Sequence, residues 1–97
     1  MTHTTDIVVE RVVAVVSRVA GSRTPAEVGP DTRLAEEGFW LSSLELAEVV
    51  VSVEEEFGVE LDPERDLTQE TLLSIGSLTR ALIETWAVSG SRRRHPG

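Results

Sequence analysis

The chain has 97 residues, 40% of them hydrophobic, and carries a formal charge of −8, so it holds enough apolar material for one small domain with a modest core. It has no cysteine, which excludes disulfides and thiolate chemistry and points to a cytoplasmic setting. Residues 27–70 contain 14 Asp/Glu against two Arg, Arg33 and Arg65, a balance of −12 that repels nucleic acid and anionic lipid and attracts basic protein surfaces.

Residues 1–6 lack the basic flank of a secretory signal, and no apolar run approaches the roughly 20 residues needed to span a bilayer. Residues 5–20 hold seven valines, which on propensity alone favours a strand. Spacing overrules propensity. Polar residues fall at 6, 10, 11, 17 and 18, and Ile7, Val8, Val12, Val15, Val16 and Val19 share the opposite face. That is a helical period. Thr4 or Thr5 is positioned to cap this first helix and Gly21 to end it.

Residues 21–42 carry Gly21, Pro25, Gly29, Pro30 and Gly38 and read as a long loop, of a length that is often functional. Val28, Leu34, Phe39 and Leu41 are its candidate anchors in the core. Trp40 is expected to cover the core beneath this loop; the alternative is that it lines a surface used by a partner.

The second helix is predicted over Ser43–Phe57. Leu46, Val49, Val50, Val53 and Phe57 form its buried stripe. Ser42 is its N-cap, with Glu45 three residues on as capping-box partner, and Gly58 is its C′ residue. Residues 59–63 are extended. Residues 67–73 are predicted as a short third helix capped by Thr68, and Ser74 starts a last helix through Ile75, Leu78, Leu82 and Trp86. Residues 87–97, with Ser-Gly-Ser-Arg-Arg-Arg-His-Pro-Gly, are expected to be disordered. The fold class is all-α: a small four-helix bundle with a long first connection, its domain spanning residues 5–86.

No Gly-rich phosphate loop, nucleophile triad or zinc spacing is present. His3 and His95 lie far apart in the two tails, which argues against a metal or catalytic histidine. Glu54-Glu55-Glu56 is read as solvated acidic surface, because consecutive helical residues do not share a face. Arg92-Arg93-Arg94 is read as tail. No residue takes the part of acid, base or nucleophile, so the chain is not read as an enzyme.

The informative position is Ser43. With Ser42 capping, Ser43 stays free at the mouth of an acidic helix, and a phosphate attached there meets unpaired N–H groups and the positive end of the helix dipole. Leu44, Ala47 and Val51 follow on a face rotated from the core stripe, flanked by Glu45, Glu48 and Glu55. An apolar strip rimmed by acids suits docking to basic, apolar partner surfaces; alternatively, Leu44 and Val51 pack against a neighbouring loop or helix.

The run from Leu34 to Leu61, with Gly38-Phe-Trp-Leu-Ser-Ser43-Leu44 opening the helix and Glu54-Glu-Glu-Phe57-Gly58 closing it, resembles the acyl/peptidyl carrier protein family. So does Ser74-Ile75-Gly76-Ser77-Leu78 at the last helix. The similarity covers about residues 5–86. It departs from the family at Ser42, where the family has Asp.

The resemblance implies that Ser43 accepts 4′-phosphopantetheine from coenzyme A through a phosphopantetheinyl transferase. The arm's thiol then holds an acyl or aminoacyl group as a thioester. Leu44, Glu45, Ala47, Glu48, Val51 and Glu55 are the implied partner-facing positions. The implied partners are that transferase, a loading enzyme (an acyl or adenylating ligase) and downstream synthase, condensing or tailoring enzymes. The expected protein is a free-standing, monomeric carrier in polyketide, nonribosomal-peptide or related specialised biosynthesis. The alternative is an unmodified acidic adaptor that keeps the carrier fold.

Overall fold

The computed structural model describes residues 3–64 and 66–93. Its helices are α1 (His3–Ala20), α2 (Ser43–Phe57) and α3 (Ile75–Arg93), with a 3₁₀ turn over Gly21–Arg23. The all-α bundle predicted from the periodicity is therefore present, built on three helices. α1 is the central element and packs against both α2 and α3. Its valine stripe makes this possible: Val12, Val15 and Val16 are inaccessible or nearly so, and each fully buried side chain of this kind is worth about 1.5–3 kcal/mol relative to exposure. Ile7, assigned to that stripe from spacing, is instead 56% exposed. It sits at the stripe's edge in a shallow groove with Phe57 and the half-exposed Trp86.

The helix ends follow local chemistry. Gly21 takes φ +61° immediately after α1, and Gly58 takes φ 66°, ψ 37° immediately after α2. These are left-handed conformations that cost glycine little. At α3 the Ser74 hydroxyl accepts the Ser77 N–H at 3.2 Å, and the Ser77 hydroxyl accepts the Ser74 N–H at 3.0 Å. This is a capping box with serine in the place usually held by Glu.

Two predicted segments differ. Residues 67–73 form turns and bends, not a helix. Thr68 does act as a local cap, its hydroxyl accepting the Thr71 N–H at 3.1 Å and its carbonyl the Leu72 N–H at 3.1 Å. The segment is too short to repay the cost of helix nucleation, and its chain is drawn into bonds with another loop. Residues 87–93, predicted as disordered, continue α3. Before Pro96 nothing removes a backbone N–H, and Gly90 costs only about 1 kcal/mol in a helix. The remaining predicted tail, residues 94–97, lies outside the described residues.

The long connection is far from bare. Leu34 and Phe39 are fully buried, and Leu41 is nearly so. The loop is laced to the start of α3: Leu34 N–H donates to the Leu73 carbonyl at 3.1 Å, Ile75 N–H to Thr32 at 3.0 Å and Gly76 N–H to Pro30 at 2.7 Å. Trp40 does not cover the core. It is 59% exposed, with φ 55°, between the buried Phe39 and Leu41.

Gly38 stands against the Arg33 backbone so closely that a Cβ would overlap the Arg33 carbonyl. Gly38→Ala is therefore expected to destabilise the chain by about 3 kcal/mol, the upper end of the overpacking range. Urea denaturation is the check, and a loss near zero would show that the 33–38 turn can open.

Candidate functional site

The two serines at the start of α2 have different surroundings. The Ser42 hydroxyl oxygen accepts the Glu45 N–H at 3.2 Å, and the Glu45 carboxylate accepts the Ser42 N–H at 2.9 Å. The capping box predicted from the sequence is complete. Ser43, the first helical residue, is exposed, and no hydrogen bond engages its hydroxyl among the described residues.

Glu45 has a second partner that the sequence did not reveal. Arg23, in the 3₁₀ turn, donates from Nη1 to Glu45 Oε1 at 2.9 Å and from Nη2 to Oε2. Nη1 also donates to the Trp40 carbonyl at 3.1 Å. One guanidinium thus joins the end of α1, the turn that precedes Ser42 and the first turn of α2. This fork geometry is what arginine offers a carboxylate. The turn needs holding, because Glu37 and Trp40 both have positive φ, a conformation costing about 1–2 kcal/mol per non-glycine residue.

The predicted partner-facing residues separate into two groups. Leu44 is 80% and Val51 52% exposed, with Ala47, Glu48 and Glu55 exposed alongside. Leu44 and Val51 therefore do not pack against a neighbouring element. Glu45 is half-buried and engaged by Arg23 and Ser42. The Glu54–Glu56 run is only partly free surface. Glu54 accepts the Leu61 N–H at 2.8 Å, and Glu56 pairs with Arg11 at 2.9 Å. No group of three or more candidate metal ligands occurs among the described residues.

Ser43 opens onto a cleft of about 490 Å³ between the start of α2 and the 67–73 segment, lined also by Arg33, Leu46, Leu67, Leu72 and Leu73. Thr68 and Gln69 add polar groups to its wall. Its lining thus combines a free hydroxyl at the α2 N-terminus, one cation and one acid, Arg33 and Glu36, with leucines and neutral polar side chains. This donor set fits a phosphate followed by an amide-bearing flexible chain. Arg23, Arg33 and the leucines of 67–73 were not marked by sequence reasoning. The one available signal was that Arg33 is a rare cation in an acidic region.

The bond from Arg23, followed by that from the Ser42 N–H, holds the Glu45 carboxyl down to about 2 from an ordinary 4.5. Between these values the unfolded chain binds the proton and the folded chain does not, so stability rises with pH across that window. The contribution is fully present above about 4.5 and is lost as pH falls toward 2. Glu45→Gln is expected to flatten the acid limb of a stability–pH profile between those values. Parallel wild-type and variant profiles would show that the clamp does not hold in solution.

No curated protein and no solved structure matched the chain. The family model described as "Phosphopantetheine attachment site" matches residues 10–82, a span that includes α2, Ser43 and the lining of the cleft. The chain belongs to that family, whose members carry a covalently attached 4′-phosphopantetheine.

Proposed function

We propose that Ser43 is the attachment residue and that the chain is a carrier, holding acyl or aminoacyl cargo for enzymes that act on it in turn. The observation that carries this reading is the division between the serines: Ser42 Oγ is committed to the cap, and Ser43 Oγ is exposed and unengaged at the mouth of the cleft. The arm supplies a thiol that takes up and releases cargo. The protein's own residues fix where that arm begins. The Arg23–Glu45–Ser42 network sets the direction of the first turn, and the α2 N–H groups favour a phosphate at Ser43. The gain is tethering, which raises the effective concentration of cargo at each docked enzyme. No bond chemistry is assigned to the chain itself.

Docking is assigned to the α2 face of Leu44, Ala47 and Val51, with Glu48 and Glu55 supplying charge. Glu45 serves this face by holding its first turn in place. Its own charge is largely matched by Arg23, so the free carboxylates carry the long-range attraction. The partners are a phosphopantetheinyl transferase, a loading ligase and downstream synthase, condensing or tailoring enzymes. The exposed Trp40 three residues before Ser43, together with Ser42 in place of Asp, supports a dedicated partner set of the kind used in polyketide, nonribosomal-peptide or related specialised pathways. The carrier unit is assigned to residues 5–86, in a cytoplasmic setting.

The test is intact-mass measurement after incubation with coenzyme A, magnesium and a broad-specificity phosphopantetheinyl transferase, with peptide mapping of the product. Wild type is expected to gain one phosphopantetheine at Ser43. Ser43→Ala is expected to gain none while keeping its helical spectrum. Ser42→Ala is expected to load and to lose about 1 kcal/mol of stability with its cap. Absence of gain in folded wild type, beside a working control carrier, would favour the unmodified adaptor. A separate expectation concerns docking: reversing Glu48 and Glu55 to Lys lowers the association rate with a loading partner roughly three- to tenfold at low salt, with the difference shrinking as salt rises. Equal rates for the two proteins would remove the docking assignment.

A further inference from the structure

Arg33 stands apart electrostatically. It is one of two arginines in a stretch of net charge −12, yet its guanidinium enters no ion pair or hydrogen bond among the described residues. Arg23, the cation at the start of α2, is by contrast consumed by Glu45. Arg33 is also not loosely placed. Its carbonyl accepts the Phe39 N–H at 3.0 Å, Gly38 packs onto its backbone, and isolated bridges join it to Gly38 and Ser74. The neighbouring Leu34 is buried and bonded to Leu73. A well-bonded stretch of backbone therefore carries an exposed, unpaired arginine that contributes to the lining of the cleft that Ser43 opens. Glu36 also lines this cleft, and no ion pair joins it to Arg33.

We propose that Arg33 is the counter-charge for the phosphodiester of the attached arm, pairing with it across the mouth of the cleft and drawing the chain beyond it along the leucine-lined wall. The proposal rests on the assignment of Ser43 as the attachment residue. Its physical basis is simple. Attachment adds one negative charge to an already acidic region, where self-repulsion opposes it. The α2 N-terminus offsets part of that charge, and a guanidinium with no other partner offsets more, through charge-assisted bonds to phosphate oxygens. Ser42 contributes in the same direction, because a hydroxyl there places no carboxylate beside the phosphodiester. Arg33 thus acts on the modified protein as a binding residue for the arm.

The test compares apo and loaded protein for wild type, Arg33→Gln and Arg33→Lys. Mass spectrometry first establishes that each carries one arm at Ser43. Thermal midpoints of both forms are then measured at about 0.02 M and about 0.5 M salt. The loaded-minus-apo difference is expected to be more favourable in wild type than in Arg33→Gln by roughly 2–4 °C at low salt. That gap closes at high salt, and Arg33→Lys retains part of it. Loading is also expected to shift the Arg33 Nε–Hε resonance of ¹⁵N-labelled wild type, a readout that decides the matter if Arg33→Gln does not fold. Identical loaded-minus-apo differences in wild type and Arg33→Gln, or an unmoved Arg33 resonance, would overturn the proposal. Wild type that takes up no arm at Ser43 would remove the reading beneath it. The mass measurement does not sense Arg33, so the two failures are distinguishable.

Discussion

The geometry around Ser43 depends on one carboxylate. Glu45 accepts the Ser42 N–H on one side and the Arg23 guanidinium on the other, while its own N–H donates to the Ser42 hydroxyl oxygen. Capping alone would fix the helix end relative to its own preceding residue. Arg23 extends that fixation across 22 residues of sequence, to a turn that directly follows α1, and adds the Trp40 carbonyl to the same knot. The first turn of α2 is therefore positioned by the fold and not only by its own sequence. The orientation of Ser43 at the start of that turn is thus settled before any encounter with a partner.

A second constraint lies on the other side of the cleft. The 30–41 stretch is bonded to residues 73–76 at three backbone positions and anchored by Leu34, Phe39 and Leu41. Val59 and Leu61, following α2, complete the same core. The cleft is thus bounded by two elements of different kind: a capped helix, and a turn-rich segment whose leucines are only partly buried. The turn-rich wall has few regular backbone bonds of its own, so local opening is easier there than in α2. This asymmetry leaves one wall able to move while the other keeps Ser43 in place.

What could be read from the sequence was what local chemistry decides. The limits of α2 follow from Ser42, Glu45 and Gly58, all of which act within one turn of the helix end. The valine stripe of α1 follows from a period that survives high β propensity. The core role of Leu34, Phe39 and Leu41 follows from apolar residues in an otherwise polar loop. What could not be read depends on contacts distant in sequence. Trp40 looked like core cover because it is large and apolar, but two flanking residues took the buried space and left it in solvent. Residues 67–73 are expected as a helix on a capping threonine, yet the Leu73 and Thr71 carbonyls are recruited by Leu34 and Ser77. Arg23 carries no signal in its own neighbourhood; its role appears only when the end of α1 is brought to the start of α2.

The charge of the chain is likewise divided by contacts distant in sequence. Its negative balance suggests a uniform acidic surface, but the carboxylates have distinct duties. Glu45 is matched by Arg23, Glu54 holds the Leu61 N–H, and Glu56 is matched by Arg11. Glu48 and Glu55 remain exposed beside Leu44, Ala47 and Val51. Within α2, Glu45, Glu54 and Glu56 are engaged by other elements, and Glu48 and Glu55 flank an apolar strip that starts next to Ser43. Pairing of the other α2 acids leaves the charge beside that strip to Glu48 and Glu55. A partner carrying basic residues at matching positions can then be recognised by where the free charge lies, which net charge alone does not specify.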